Sequence, residues 1–95
     1  MRYEKRKRRI SIYYTTILRS ISTPGAIYIG YSSDLKKRLV DHNNAAGKAS
    51  SRHKPWEVET YCAFRTIEEA KAFEVYLKSN SGKAFMRKRL ISKAF

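Results

Sequence analysis

The chain predicts an α+β fold, a small three-stranded mixed sheet flanked by helices in the order ββαβαα. Three observations carry that prediction. Three short stretches alternate apolar and polar residues with the period of two that a strand requires. Turn and cap residues separate them from segments of helical period. The length, 95 residues, suits one domain and leaves no room for a second.

Residues 1–9, MRYEKRKRR, hold six basic residues and one acidic one. They are expected to form a flexible basic arm ahead of a domain spanning 10–95, either lying along phosphates or simply solvated. Ile10 to Arg19 is rich in β-branched and aromatic residues, and alternation puts Ile10, Ile12, Tyr14, Thr16 and Leu18 on one side of a first strand. SISTPG then turns the chain at Pro24-Gly25. AIYIGY makes a second strand, with Ile27, Ile29 and Tyr31 opposite Tyr28 and Gly30. A helix is predicted from about Asp34 to Ala46, opened by a serine cap and an acidic first turn and stopped at Gly47. After a polar, basic loop, WEVETYCAF from Trp56 to Phe64 reads as the third strand. Thr66 and Glu69 form the T-x-x-E box that opens a second helix running to about Ser79. Gly82 is expected to break it. A short closing helix follows, with Met86, Leu90 and Ala94 on one side and Arg87, Lys88, Arg89 and Lys93 around the rest.

Charge narrows the partners. Lys plus Arg number 21 against 8 Asp plus Glu, a net +13, which favours a polyanion. The arm supplies +5 of this, so the domain is basic in its own right. The single cysteine, Cys62, excludes an internal disulfide framework, and there is no C-x-x-C pair to build a structural zinc site. Apolar runs are too short for a membrane span, and the basic start is not followed by the apolar stretch of a signal peptide. The expectation is an intracellular, cytoplasmic protein with no membrane partner and no small-molecule cofactor.

Helical faces point to chemistry. On the first helix Leu35, Leu39, Ala45 and Ala46 share one half with Arg38 and His42, while Lys36, Lys37, Asp41 and Asn44 take the outer half. Arg38 facing inward is explained either by an Asp34 pair at i,i+4 or by a ligand; His42 is a half-buried imidazole or a site group. On the second helix Ile67, Ala70, Phe73 and Leu77 define an apolar arc with Glu74 inside it. A carboxylate facing a core needs a partner: an internal salt bridge, for instance to Arg38, or a role as metal ligand or acid/base in a cleft. Tyr28 shares its strand face with Gly30, which leaves the space beside the ring open.

AIYIGYSSDLKKRLVDHN followed by FEVYLKS resembles the GIY-YIG nuclease domain in its small single-domain bacterial form, over Ile12 to about Leu90. The resemblance implies hydrolysis of a DNA phosphodiester bond with one divalent ion, Mg²⁺ or Mn²⁺. Carried across, Glu74 would be the metal ligand, Arg38 would hold the scissile phosphate, Tyr28 would orient or activate the attacking water, and His42 would assist the proton transfer. One position departs from the family pattern: Thr16 stands where the first-motif tyrosine is expected, and Tyr14, two residues earlier on the same face, is a candidate replacement. Phosphate contacts are expected from Lys48, Arg52, His53 and Lys54 in the loop and from Lys78, Lys83, Arg87 and Lys88 near the end. Trp56 is expected in the core, with stacking on a base as the alternative. The expected activity is a shape-directed or weakly specific endonuclease in DNA repair or recombination. Two rivals are a catalytically impaired nucleic-acid-binding module on the same scaffold and a Cys/His hydrolase using Cys62 with His42 or His53.

Overall fold

A computed structural model describes residues 11–44 and 52–92. The basic arm, Ile10, the ends of the predicted first and last helices, and Lys48 lie outside the described residues. In chain order the elements are β1 (Tyr13–Ser20), β2 (Ile27–Ser32), α1 (Leu35–Asn44), β3 (Trp56–Phe64), α2 (Ile67–Leu77) and α3 (Asn80–Arg89). The ββαβαα order is the predicted one. The sheet order is β2-β1-β3, and both pairings are antiparallel, where the sequence suggested a mixed sheet. The short β1–β2 connection dictates the first pairing. Its turn is closed by Ala26 N–H donating to Thr23 O at 2.7 Å, with Thr23 N–H also bound to Ser20 Oγ at 2.8 Å. The chain entering β3 is tied to this hairpin: Ser20 Oγ donates to His53 O at 2.6 Å, Ser22 Oγ to Lys54 O at 3.1 Å.

Alternation along β1 divides the sheet into two faces. Thr15, Ile17 and Arg19 align with Tyr31, Ile29 and Ile27, and Thr16 and Leu18 with Gly30 and Tyr28. The first face carries the apolar core: buried Ile17, Leu77 and Met86, with Ile27, Ile29, Phe73, Leu90 and Ile91 packed around them. Here α2 docks, and Thr15 Oγ1 donates to Ala70 O at 2.7 Å. Full burial of an aliphatic side chain such as Leu77 stabilises by about 1.5–3 kcal/mol, so this face fixes the fold. The second face carries α1, none of whose side chains is fully buried.

A β-bulge interrupts the β1–β3 ladder. Ile17 faces Thr60 and Leu18 faces Val58, so Glu59 is the extra residue, and the bulge turns Glu59 and Thr60 to the same side. Thr60 Oγ1 donates to Leu90 O. The Glu59 carboxylate accepts from Arg19 Nε at 2.9 Å and Nη2 at 3.1 Å and from Ser92 N. Arg19 further donates to Pro24 O at 3.0 Å and Ser92 O at 3.1 Å. The two side chains are only 6% and 12% exposed, and the Arg19 hydrogen bond is the main cause holding the Glu59 carboxyl below its ordinary value.

Three helix boundaries differ from the sequence expectation. Asp34 is the cap of α1 rather than part of its first turn: its Oδ1 accepts from Lys37 N at 3.0 Å, while Ser32 Oγ accepts from Asp34 N at 2.9 Å. The Thr66 cap holds, with Glu69 N donating to Thr66 Oγ1 at 3.2 Å, but α2 stops at Leu77 because Ser79 caps the next helix, accepting from Gly82 N at 3.1 Å. Gly82 therefore lies inside α3 instead of ending α2. Its missing side chain has a packing purpose, since a Cβ there would fall 1.7 Å from Tyr76 O and 2.5 Å from Tyr76 C.

Candidate active site

The second face of the sheet holds a row in register across all three strands, Gly30 on β2, Thr16 on β1 and Tyr61 on β3. Thr16 is fully buried. From α1 the Arg38 side chain lies over the glycine: a Cβ on Gly30 would fall 1.7 Å from Nη2, 2.5 Å from Cζ and 2.9 Å from Nε. Arg38 Nε donates to Thr16 Oγ1 at 3.2 Å, and that hydroxyl donates on to Gly30 O at 3.4 Å. Thr16, the departure from the family pattern, is thus the acceptor that aims the guanidinium. Neither terminal nitrogen of Arg38 has a hydrogen-bond partner among the described residues. The predicted Asp34 pairing does not form, because the Asp34 carboxylate is engaged as a cap.

Helical spacing puts His42 on the same face of α1 one turn after Arg38. Its ring lies 4.3 Å from the Tyr28 ring, centroid to centroid, and Arg38 Cζ is 5.6 Å from the same Tyr28 ring, within cation–π range. Trp56, only 4% exposed, backs the cluster at 6.2 Å from Tyr28 and 6.4 Å from His42, a core residue rather than a stacking surface. Asn43 fixes the helix: its Nδ2 donates to Trp56 O at 3.1 Å and its Oδ1 accepts from Trp56 N at 2.5 Å. Three of the four predicted catalytic residues, Tyr28, Arg38 and His42, therefore meet.

Glu74 shares no hydrogen bond or ion pair with them. Its carboxylate accepts from Lys78 Nζ at 2.8 Å, an i,i+4 pair in which Glu74 is 17% exposed and Lys78 54%; the pairing with Arg38 considered from sequence is absent. Lys71, Glu74 and Lys78 share a flank of α2 at i, i+3 and i+7. Lys71 Nζ lies 5.4 Å from the Tyr31 ring, so this flank borders β2, the edge strand that also bears Gly30. No group of three or more His, Cys, Asp and Glu exists among the described residues. A lone hard carboxylate fits an ion that keeps most of its waters, as Mg²⁺ does, and does not fit a dehydrated multi-ligand centre.

The predicted phosphate contacts divide between two places. Arg52 is exposed, and His53 and Lys54 are half-buried in the segment leading to β3, with the His53 ring 6.2 Å from Trp56. Lys83, Arg87 and Lys88 are exposed along α3, beyond the apolar face. Cys62 is aligned with Thr15, on the face opposite His42, and burial pushes its thiol pKa up, the reverse of an activated nucleophile. A Cys62–His42 hydrolase is not assembled. Tyr14 sits one row beyond Thr16, aligned with Ser32 and Ala63, with its ring 5.6 Å from that of Tyr61. Sequence reasoning missed Asn43 and the anchoring part of Thr16; alternation gave Thr16 a face within its own strand, but the register that sets it beside Gly30 is a cross-strand feature.

The chain matches the family model of the GIY-YIG catalytic domain over residues 6–89. It is 38% identical over 56 residues to a UPF0213 protein of Bacillus pumilus, an alignment covering 58% of this chain and 57% of that protein; the chain thus spans little more than half the length of that relative. It is also similar to the solution NMR structure of a UPF0213 protein from Bacillus halodurans, with 26% identity, a TM-score of 0.48, and coverage of 81% of this chain and 83% of the other.

Proposed function

The chain belongs to the GIY-YIG catalytic domain family, a family of nucleases, and from that premise we propose that it is a divalent-metal-dependent endonuclease hydrolysing DNA phosphodiester bonds with weak, shape-directed specificity. The observation that carries this reading is the Arg38 guanidinium over Gly30, hydrogen-bonded through Nε to Thr16 and, among the described residues, through neither terminal nitrogen. Its two terminal nitrogens would offer a planar fork to two oxygens of one phosphate, and a fixed donor of that kind stabilises charge that develops in the transition state.

The remaining parts have defined tasks. Tyr28, more than a third exposed, presents its hydroxyl to the attacking water, and His42 against its ring takes up the proton that water releases. Trp56 and Asn43 hold that imidazole and its helix in place. Glu74 would hold the divalent ion, at the β2 edge, once Lys78 swings away; Lys78 is exposed enough to do so. The ion would supply neutralisation of charge on the leaving oxygen. The +13 charge draws any polyanion to the surface without reading its sequence. A role in repair or recombination accords with a nuclease that reads shape.

The test is incubation of the full chain with supercoiled and branched DNA under Mg²⁺, Mn²⁺ or chelator. Metal-dependent nicking is expected, with a loss of about 10²-fold or more in Glu74→Ala, the size seen on removing one transition-state stabilising group. Binding without cutting under every metal would instead establish a non-catalytic nucleic-acid-binding module. Thr16 in place of the first-motif tyrosine favours that second reading.

A further inference from the structure

The sheet face beneath α1 continues past the Arg38 site to an aromatic pair, half-buried Tyr14 and exposed Tyr61. Tyr61 lies directly beside Thr16 in the row Gly30–Thr16–Tyr61, and Tyr14 occupies the next row. Their rings meet at 5.6 Å and 75°. Tyr61 is 51% exposed, whereas the other large aromatic of that face on β3, Trp56, is buried. Adjacent strands are about 4.8 Å apart. The open tyrosine ring is therefore one strand from the hydroxyl that aims Arg38 and two from the glycine beneath the guanidinium.

We propose that Tyr61, steadied by the edge-to-face contact with Tyr14, is a stacking shelf for an unpaired base of the DNA strand whose phosphate Arg38 holds. This rests on the nuclease reading above and adds to it a substrate class, strands with at least one unstacked base beside the reacting phosphate. The chemistry is complementary on both counts. A cationic fork takes the phosphate, and an exposed ring takes the face of any base, tolerant of sequence because every base has one. Tyr14 is thereby assigned to support the shelf and not to replace the missing catalytic ring. An exposed tyrosine on an edge strand is common in itself. Its place in register with the anion hook of a chain bearing +13 is what selects a nucleic acid strand as the occupant.

The experiment uses the full chain in chelator, where no cutting can occur. A single-stranded DNA oligonucleotide carrying 2-aminopurine is titrated by fluorescence, alongside the same oligonucleotide with abasic sites. Wild type should quench the fluorescence and prefer the base-bearing strand by about tenfold, within the range that one aromatic stack contributes. Tyr61→Leu, which keeps size and solubility without a ring, should lose the quench and the preference; Tyr61→Phe should keep both. Equal behaviour of Tyr61→Leu and Tyr61→Phe, or a wild type indifferent to abasic sites, overturns the shelf. Nicking is scored separately with metal: a chain that stacks bases but never nicks retains the shelf and loses the nuclease reading, and one that nicks with no base preference does the reverse.

Discussion

Replacing Gly30 by alanine tests the site where its geometry is tightest. The new methyl carbon would lie 1.7 Å from Arg38 Nη2, and the three nearest obstructing atoms all belong to the Arg38 side chain. Ordinary contact between such atoms needs about 3.5 Å, so the guanidinium must retreat by roughly 2 Å. The Arg38 Nε bond to Thr16, already 3.2 Å, is at the outer end of the hydrogen-bond range and cannot absorb that shift. Losing it costs about 1 kcal/mol, a fall in Tm of about 4–8 °C for a domain this small, and the protein still folds. Activity falls much further, because misplacing a positioned group by about 1 Å costs on the order of 10²-fold. The assay is the plasmid-nicking rate of Gly30→Ala with thermal melting in parallel, repeated in an Arg38→Ala background. There the alanine should add almost nothing, since both changes act through one side chain. A folded Gly30→Ala that nicks within threefold of wild type, or an additive double variant, refutes the reasoning. Gly82→Ala is the control of opposite sign. There the obstruction is the Tyr76 backbone, which cannot swing aside, so the melt collapses while Arg38 is untouched.

Two further outcomes follow from the carboxyl and thiol groups. The folded-state pKa of Glu59 is lowered from 4.5, chiefly by the Arg19 hydrogen bond. Its stabilisation is therefore present above that value and lost as pH falls below it through the depressed folded pKa. Urea melts of the wild type should weaken on acidification below about pH 4.5, Glu59→Gln should flatten that part of the profile, and Glu59→Ala, which removes the carboxylate but leaves Arg19 its carbonyl acceptors, should cost about 1.5–3 kcal/mol at pH 7. Cys62, raised above its ordinary 9.0 by burial, should alkylate slowly at pH 8, and Cys62→Ser should nick at the wild-type rate; loss of nicking there would show that the chemistry runs through sulfur.

Much of the fold was legible because its signals are local. Alternation located the three strands and paired Thr16 with Tyr14 on one strand and Tyr28 with Gly30 on the next, and the Thr66-x-x-Glu69 box marked the start of α2; only the register of the sheet sets Thr16 beside Gly30. Helical spacing on α1 put Arg38 and His42 on one face, and the family resemblance added Tyr28 to them. What escaped depends on residues distant in sequence. The bulge at Glu59 accompanies its pairing with Arg19, forty positions away, and no local pattern encodes it. Gly82 reads as a helix breaker in any window; only the approach of the Tyr76 carbonyl shows that it must be small. Glu74 reads as a carboxylate on an apolar arc in want of a tertiary partner, whereas the structure pairs it locally with Lys78, the residue capping its own helix.

The seating of α1 has a consequence for how the molecule responds to its cargo. With no fully buried side chain, this helix is fastened by directional clasps, Arg38 on Thr16 and Asn43 on the Trp56 backbone, rather than by a greasy footprint. Such fastenings set its pose sharply but bury little apolar surface, and segments held in that way open at lower free energy than a packed core. An anion taken up by the proposed Arg38 fork would add one more clasp to this helix, and occupancy itself would then stiffen the element that carries the fork.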